Sequence, residues 1–181
     1  MKIYDCIFLD RDGTINSDPK GYINSLQNFN LYDFTIPALK KLARLKNKFC
    51  IITNQSGVSR GLIKKENLFL IHDFIQEEFK KSKIPLLKIY TYFDHPDHST
   101  ERRKPGLGMF FEAKNDHGFD LKKCLMIGDS YADIKAGILL EMDTMLVLTG
   151  HGQKTLGILK KNEAPTFVAK DLSKGVDKLC L

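Results

Sequence analysis

The chain has 181 residues, enough for one domain with a real core and short for two. Hydrophobic residues make up 43% of it, which excludes a disordered chain, and no apolar run approaches the roughly 20 residues of a membrane helix. The net charge is +6, but Lys40, Lys41, Lys46, Lys64, Lys80, Lys122 and Lys160 are scattered, without a dense basic run or interleaved aromatics. They read as decoration of exposed helix faces, and no nucleic-acid partner is expected. The N-terminus lacks the apolar stretch and cleavage site of a leader, so a cytoplasmic protein without membrane attachment is expected. Cys6, Cys50, Cys124 and Cys180 have no metal-binding or redox spacing. The first three sit in or beside apolar runs, where a reduced thiol behaves as a small hydrophobe.

In chain order, Ile3–Leu9 reads as a strand that runs directly into Asp10-Arg11-Asp12-Gly13-Thr14. An irregular stretch, Asp12–Asp33, follows. Ile36, Leu39, Leu42 and Leu45 then form a helical stripe. Phe49–Thr53 is a second strand, which leads into Asn54-Gln55-Ser56-Gly57. Leu68, Ile71, Ile75 and Phe79 mark a second helix, and Leu87–Tyr92 a third strand. After the irregular Phe93–Arg103 come Lys104-Pro105-Gly106 and a helix over Phe110–Asn115. Cys124–Ile127 is a strand ending in Gly128-Asp129-Ser130-Tyr131-Ala132-Asp133, with a helix over Ala132–Leu140. Thr144–Leu148 is the fifth strand, Thr149–Gln153 is irregular, Phe167–Val168 is a short sixth strand, and Leu172–Leu179 is a last helix.

This alternation predicts an α/β, doubly wound, Rossmann-like parallel sheet with helices on both faces, as a single domain over residues 1–181. Between the second and third strands there is room for little beyond one helix. No large cap domain fits, and the site should be open.

In such sheets ligands bind beyond the carboxyl ends of the strands. Those ends carry a carboxylate pair (Asp10, Asp12), neutral donors (Thr53, Asn54, Gln55, Ser56), cations (Arg103, Lys104) and two further carboxylates (Asp129, Asp133). That is the set phosphoryl transfer requires. Each residue alone has a plainer explanation: Asp12 as a turn residue, Thr53 as a strand end, Lys104 as a surface lysine. Together they leave converging carboxylates that need a cation.

The order FLDRDGTIN, Gly21-Tyr22, TNQSGVSRG, RKPGLGM and GDSYAD resembles the haloacid-dehalogenase-like (HAD) superfamily of phosphatases. Within it, the pattern is most similar to the D-glycero-D-manno-heptose 1,7-bisphosphate phosphatase and histidinol-phosphate phosphatase group. The resemblance runs from Ile3 to about Gly152 and implies a HAD-like fold and a magnesium-dependent phosphomonoesterase. It assigns Asp10 as nucleophile and Asp12 as general acid and base. Thr53 and Lys104 would hold phosphate oxygens. The Mg2+ ligands would be Asp10, the Asp12 carbonyl and Asp129, with Asp133 orienting the metal's waters. The loop Asn16–Asn30 would face the substrate, with Asp18, Gly21 and Tyr22 as contacts, although a plain surface loop explains Asp18 and Tyr22 equally well. Asn54, Gln55 and Ser56 would also touch substrate, and Arg60 or Arg103 a second phosphate.

One departure is evident. Many members of that group carry a zinc loop with three cysteines and a histidine before the lysine motif. The corresponding Tyr92–Arg102 stretch has no cysteine, only Asp94, His95, Asp97 and His98. No zinc is expected. The expected partner is a small phosphorylated molecule, preferably the heptose bisphosphate, and a monomer is expected. Histidinol phosphate and a polynucleotide 3′-phosphate are the alternative substrates. A catalytically silent phosphosugar-binding protein is the alternative of another class.

Overall fold

The structure is a computed structural model. It describes every residue except Met1, Pro19, Lys20, Asp94, Pro96, His98, Ser99 and Leu181. Six parallel strands form one sheet: β1 (Ile7–Leu9), β2 (Phe49–Asn54), β3 (Leu86–Tyr92), β4 (Leu125–Gly128), β5 (Asp143–Val147) and β6 (Phe167–Ala169). Their order is β3-β2-β1-β4-β5-β6, that of a doubly wound sheet, as expected. The helices are α1 (Thr35–Arg44), α2 (Lys65–Lys81), α3 (Gly108–His117), α4 (Tyr131–Leu139), α5 (Gly152–Ile158) and α6 (Leu172–Leu179).

Alternation along the strands builds two cores. Ile7 and Leu9 join Ile51, Ile127 and Val147 under Leu39 and Leu42 of α1, Ile75 and Phe79 of α2, and Val176 of α6. The intervening Cys6 and Phe8 join Cys50, Ile52 and Met126 on the opposite face, against Met109 and Phe110 of α3 and Ala136 of α4. Phe8 meets Phe110 edge-on, with ring centroids 5.2 Å apart. Cys6, Cys50 and Cys124 are buried in this second core, and Cys180 is exposed.

Two differences from the sequence reading have local causes. β1 begins at Ile7, not Ile3, because Ile3 is exposed and Tyr4 leaves the ladder: its N–H donates to Asn47 Oδ1 and its hydroxyl to Asp143 Oδ2. Helix α5 begins inside the stretch read as irregular; it has seven residues, two of them glycine, too few for an apolar stripe. Only α2 and the turns around it lie between β2 and β3, so no cap domain is inserted there. Among the described residues, no helix is long and apolar enough to cross a membrane.

The apolar stripe of α2 includes one imidazole, His72, buried beside Arg11, with Nε2 3.5 Å from Arg11 Nη1. Burial and the Arg11 charge push its pKa down from 6.5 to about 4. The folded value lies below the unfolded one, so the stabilisation is present above pH 6.5 and is lost as pH falls towards 4. The shift corresponds to roughly 3 kcal/mol. Urea unfolding at pH 7 and pH 4.5 should therefore show a larger acid-induced loss in the wild type than in His72→Gln. An equal loss in both would exclude His72 as its source.

Candidate active site

β1 and β4 are neighbours at the point where the strand order reverses, so Asp10 and Asp129, each the residue after its strand, come together. Lys104 reaches them from the segment before α3. Its ammonium is almost wholly buried and donates to Asp10 Oδ1 (2.8 Å), the Ile52 carbonyl (2.6 Å) and Asp133 Oδ1 (2.5 Å). Burial alone would lower the lysine pKa, but the charges of Asp10 and Asp133 outweigh it and hold the pKa above the ordinary value. Asn54 fixes the lysine's backbone: its Nδ2 donates to the Lys104 carbonyl and its Oδ1 accepts from the Lys104 N–H, both at 3.1 Å.

Asp133 sits in the first turn of α4, where it and Ser130 make a capping box. Its Oδ2 accepts from the Ser130 N–H (3.0 Å) and hydroxyl (2.6 Å), while its Oδ1 holds Lys104. Both oxygens are thus occupied. Asp129 Oδ2 accepts from the His151 N–H at 2.6 Å. Gly13 and Gly150 close over the same carboxylate, with φ of +78° and +52°. A Cβ on either would overlap Asp129 Oδ2.

One oxygen each from Asp10, Asp129 and Asp133 lies within 4.8 Å of the others. One ammonium cannot neutralise three carboxylates. Burial, then Asp133, pushes Asp10 up to about 7; burial, then Asp10, pushes Asp129 up to about 8. Asp10 Oδ2 and Asp129 Oδ1 are left outside the contacts with Lys104 and His151. An all-oxygen donor set with unbalanced negative charge fits a hard divalent cation such as magnesium.

Asp12 is held differently. Its Oδ1 accepts from Arg11 Nε (3.0 Å), Arg11 Nη2 (2.8 Å) and Asn16 Nδ2 (2.9 Å); its Oδ2 accepts from Arg11 Nη2 (2.8 Å) and Gln55 Nε2 (2.7 Å). Burial pushes its pKa up, but Arg11 and these donors prevail and hold it below the usual carboxylate range.

These groups line a cleft of about 510 Å³. Of the residues read from sequence, Asp10, Asp12, Asp18, Gly21, Tyr22, Thr53, Asn54, Gln55, Arg103, Lys104 and Asp129 line it. Ser56 and Arg60 do not: after Gln55 the chain folds into a tight turn, the Arg60 N–H donates to the Ser56 carbonyl, and Arg60 is exposed. Asn54 spends its amide on Lys104, and Gln55 links Asp12, Arg11 and Thr53, its Nε2 also donating to Thr53 Oγ1 at 2.8 Å. Asp18 Oδ2 lies 3.2 Å from His151 Nε2, tying the loop after β1 to the one after β5. Sequence reading overlooked Arg11, Asn16, Ile63 and His151. Arg11 stands between two more conspicuous aspartates, and His151 was visible only as part of an irregular stretch. In the Tyr92–Arg102 loop, His95 Nδ1 lies 3.3 Å from Asp97 Oδ2, while Asp94 and His98 fall outside the described residues.

A doubly wound sheet whose strand ends bring two carboxylates, a hydroxyl and a buried lysine to one cleft defines a phosphoryl-transfer fold of the HAD class. A family model described as HAD-hydrolase-like matches residues 101–175. The D-glycero-alpha-D-manno-heptose-1,7-bisphosphate 7-phosphatase of Campylobacter jejuni subsp. jejuni serotype O:2 is 35% identical over 144 residues, covering 78% of this chain and 81% of that one. The D-glycero-beta-D-manno-heptose-1,7-bisphosphate 7-phosphatase of Yersinia pestis is 34% identical over 152 residues, 80% of each chain. The crystal structure of D,D-heptose 1,7-bisphosphate phosphatase from B. bronchiseptica, complexed with magnesium and phosphate, superposes with a TM-score of 0.88 at 30% identity, covering 99% of this chain and 98% of that one. The chain belongs to the HAD-like phosphatases.

The paired glycines give a direct test. Gly150→Ala should push Asp129 aside and cost about 1–3 kcal/mol in urea unfolding, as overpacking does. It should also weaken magnesium binding measured by calorimetry. Unchanged stability and affinity would show that the glycine contact does not set the position of Asp129.

Proposed function

We propose that the chain is a magnesium-dependent phosphatase that removes the 7-phosphate of D-glycero-D-manno-heptose 1,7-bisphosphate through an aspartyl-phosphate on Asp10. The observation that carries the bisphosphate reading is Arg103. It lines the cleft next to Lys104, and its buried Nη1 has no hydrogen-bond partner among the described residues. A buried guanidinium nitrogen left unpaired is costly, and a non-reacting phosphate would satisfy it. The similarity to the heptose-bisphosphate phosphatases supports the same substrate class, and relatives named for both anomers are similar to nearly the same degree.

In this mechanism Asp12 first takes up a proton from solvent; an Asp10 oxygen then attacks phosphorus, the bond to the sugar oxygen breaks, and Asp12 donates that proton to the oxygen as it leaves. The Asp12 carboxylate then takes a proton from water as its oxygen attacks the aspartyl-phosphate. Inorganic phosphate departs and Asp10 is restored. Lys104 keeps Asp10 oriented and, with Thr53, binds phosphate oxygens. Asp10, Asp129 and the Asp12 carbonyl would hold magnesium, which supplies charge neutralisation for the phosphate dianion. Asp133 anchors Lys104 and orients the groups around that site. The whole chain would act as one domain on a small substrate, without nucleic acid. The joint presence of Asp10, Asp12, Thr53, Lys104 and Asp129 in one cleft weighs against a silent binding protein.

Phosphate release should be measured over both heptose bisphosphate anomers, histidinol phosphate and 3′-phosphorylated oligonucleotides. The highest kcat/KM is expected for a heptose bisphosphate, and a higher value for histidinol phosphate or an oligonucleotide would replace this substrate. Asp10→Asn should abolish turnover with the fold retained. A chelator should do the same, reversed by magnesium and poorly by calcium, whose longer, more variable coordination disturbs in-line geometry. Arg103→Ala should raise KM for the bisphosphate far more than for a matched monophosphate, by roughly 1.5–3 kcal/mol. Equal effects on both would place Arg103 away from the second phosphate.

A further inference from the structure

Among the described residues Arg11 is the largest side chain that is fully buried, although it contributes to the lining of the cleft. Burying a guanidinium is expensive unless it is paired and hydrogen-bonded. Its pairing is specific. Nε and Nη2 both meet Asp12, Nη2 also meets Gln55 Oε1 at 3.2 Å, and Nη1 faces His72 Nε2 at 3.5 Å. The Phe29 ring covers the guanidinium, with its centroid 5.9 Å from Cζ. Arg11 is thereby locked from behind by α2 and by the loop after β1.

The consequence falls on Asp12. Arg11 is 1% exposed in its side chain, whereas Asp12 is 25% exposed and lines the cleft. Arg11 grips the carboxylate from the protein side, Asn16 holds Oδ1 and Gln55 holds Oδ2, so neither carboxylate torsion is free. We propose that Arg11 is a positioning residue for phosphomonoester hydrolysis: its two-nitrogen grip, braced by His72 and Phe29, fixes the orientation in which the Asp12 carboxylate meets the leaving oxygen. This inference rests on the reading of Asp12 as acid and base. A lysine cannot reproduce the grip, since it offers a point charge where the guanidinium offers a planar fork.

The effect should depend on the leaving group. An alkoxide must be protonated as it departs, whereas 4-nitrophenolate leaves as a stable anion and gains little from an acid. The kcat/KM of a two-step phosphatase reports the steps through formation of the aspartyl-phosphate, so it isolates the acid role. Misplacing a catalytic group by a fraction of its reach costs on the order of 10- to 100-fold.

The test compares wild type, Arg11→Lys, Arg11→Gln, Asp12→Asn and the double variant Arg11→Lys/Asp12→Asn, with folding checked by circular dichroism. Arg11→Lys retains the buried charge and is the principal variant; the double variant lacks the Asp12 carboxylate through which Arg11 acts and serves as the additivity control. Arg11→Lys should lower kcat/KM on an alkyl phosphate about 10- to 100-fold, but on 4-nitrophenyl phosphate by less than about threefold. Adding Arg11→Lys to Asp12→Asn should cost no more than about twofold on the alkyl substrate, because the residue acts through the one already removed. Equal losses on both substrates, or a full additional loss in the Asp12→Asn background, would overturn the proposal and leave Arg11 a structural ion pair. A wild type inert towards both substrates would overturn the phosphatase reading and the positioning role with it, whereas an active wild type with equal losses condemns the positioning role alone.

Discussion

The ammonium of Lys104 is the contact on which the rest of the site depends. It joins the end of β1 through Asp10, the C-terminal half of β2 through the Ile52 carbonyl, and the start of α4 through Asp133. Three elements that follow different strands are thereby held in one register by a single buried charge. The arrangement is self-consistent only because each partner is fixed in turn: Asp133 by its capping box with Ser130, and the lysine's backbone by Asn54. A buried ion pair gains little net stability against its desolvation cost, so its value here lies in geometry. It orients Asp10 while leaving the cluster short of positive charge, which is what a site for a cation and a phosphate dianion requires.

A division of labour follows around that contact. On the β4 side, Asp129 is shaped by backbone: the His151 N–H holds one oxygen, and Gly13 and Gly150 approach as only glycines can. On the β2 side, Asp12 is shaped by side chains, with Arg11, Asn16 and Gln55 saturating it. Burial pushes both carboxylates up, but their net shifts are opposite. For Asp129, burial and the Asp10 charge outweigh Lys104 and it is pushed up, whereas for Asp12 its own guanidinium, with the Asn16 and Gln55 donors, outweighs burial and it is held down. Two residues of one type therefore take different chemical tasks through their neighbours.

Much of this was legible in the sequence, for identifiable reasons. The sheet could be read because its central strands are apolar on both faces and its helices carry stripes such as Leu68, Ile71, Ile75 and Phe79, all of which are buried. The strand-end residues could be read because a doubly wound topology puts every such end on one edge. What could not be read was direction. Asn54 looks like a substrate donor until its amide is seen to be spent on Lys104, and Arg60 looks like a phosphate ligand until the turn after Gln55 carries it outwards. Arg11 was overlooked because a charged residue in a polar motif is ordinarily exposed, whereas here it is fully buried. Helix α5 was missed because seven residues with two glycines offer no period to detect.

The position of Arg103 follows from the same economy of local contacts. Its relatives' resemblance suggested a metal-clipped loop just before it, yet the stretch from Tyr92 to Arg102 offers no thiolate. The described contacts supply an alternative frame. The Thr100 N–H donates to the Tyr92 hydroxyl at 2.8 Å, Arg102 pairs with Glu112 on α3, and the Gly108 N–H closes back on the Glu101 carbonyl at 2.8 Å. Arg103 lies inside this loop, immediately before a lysine that Asn54 and three acceptors hold fast. The Arg103 N–H donates to the Thr100 carbonyl at 3.1 Å and its carbonyl accepts from the Gly106 N–H at 2.6 Å, so its backbone is fixed on both sides. The polar frame and the buried lysine therefore adjoin: the Thr100–Gly108 contacts hold the segment that delivers the Lys104 ammonium to Asp10 and Asp133.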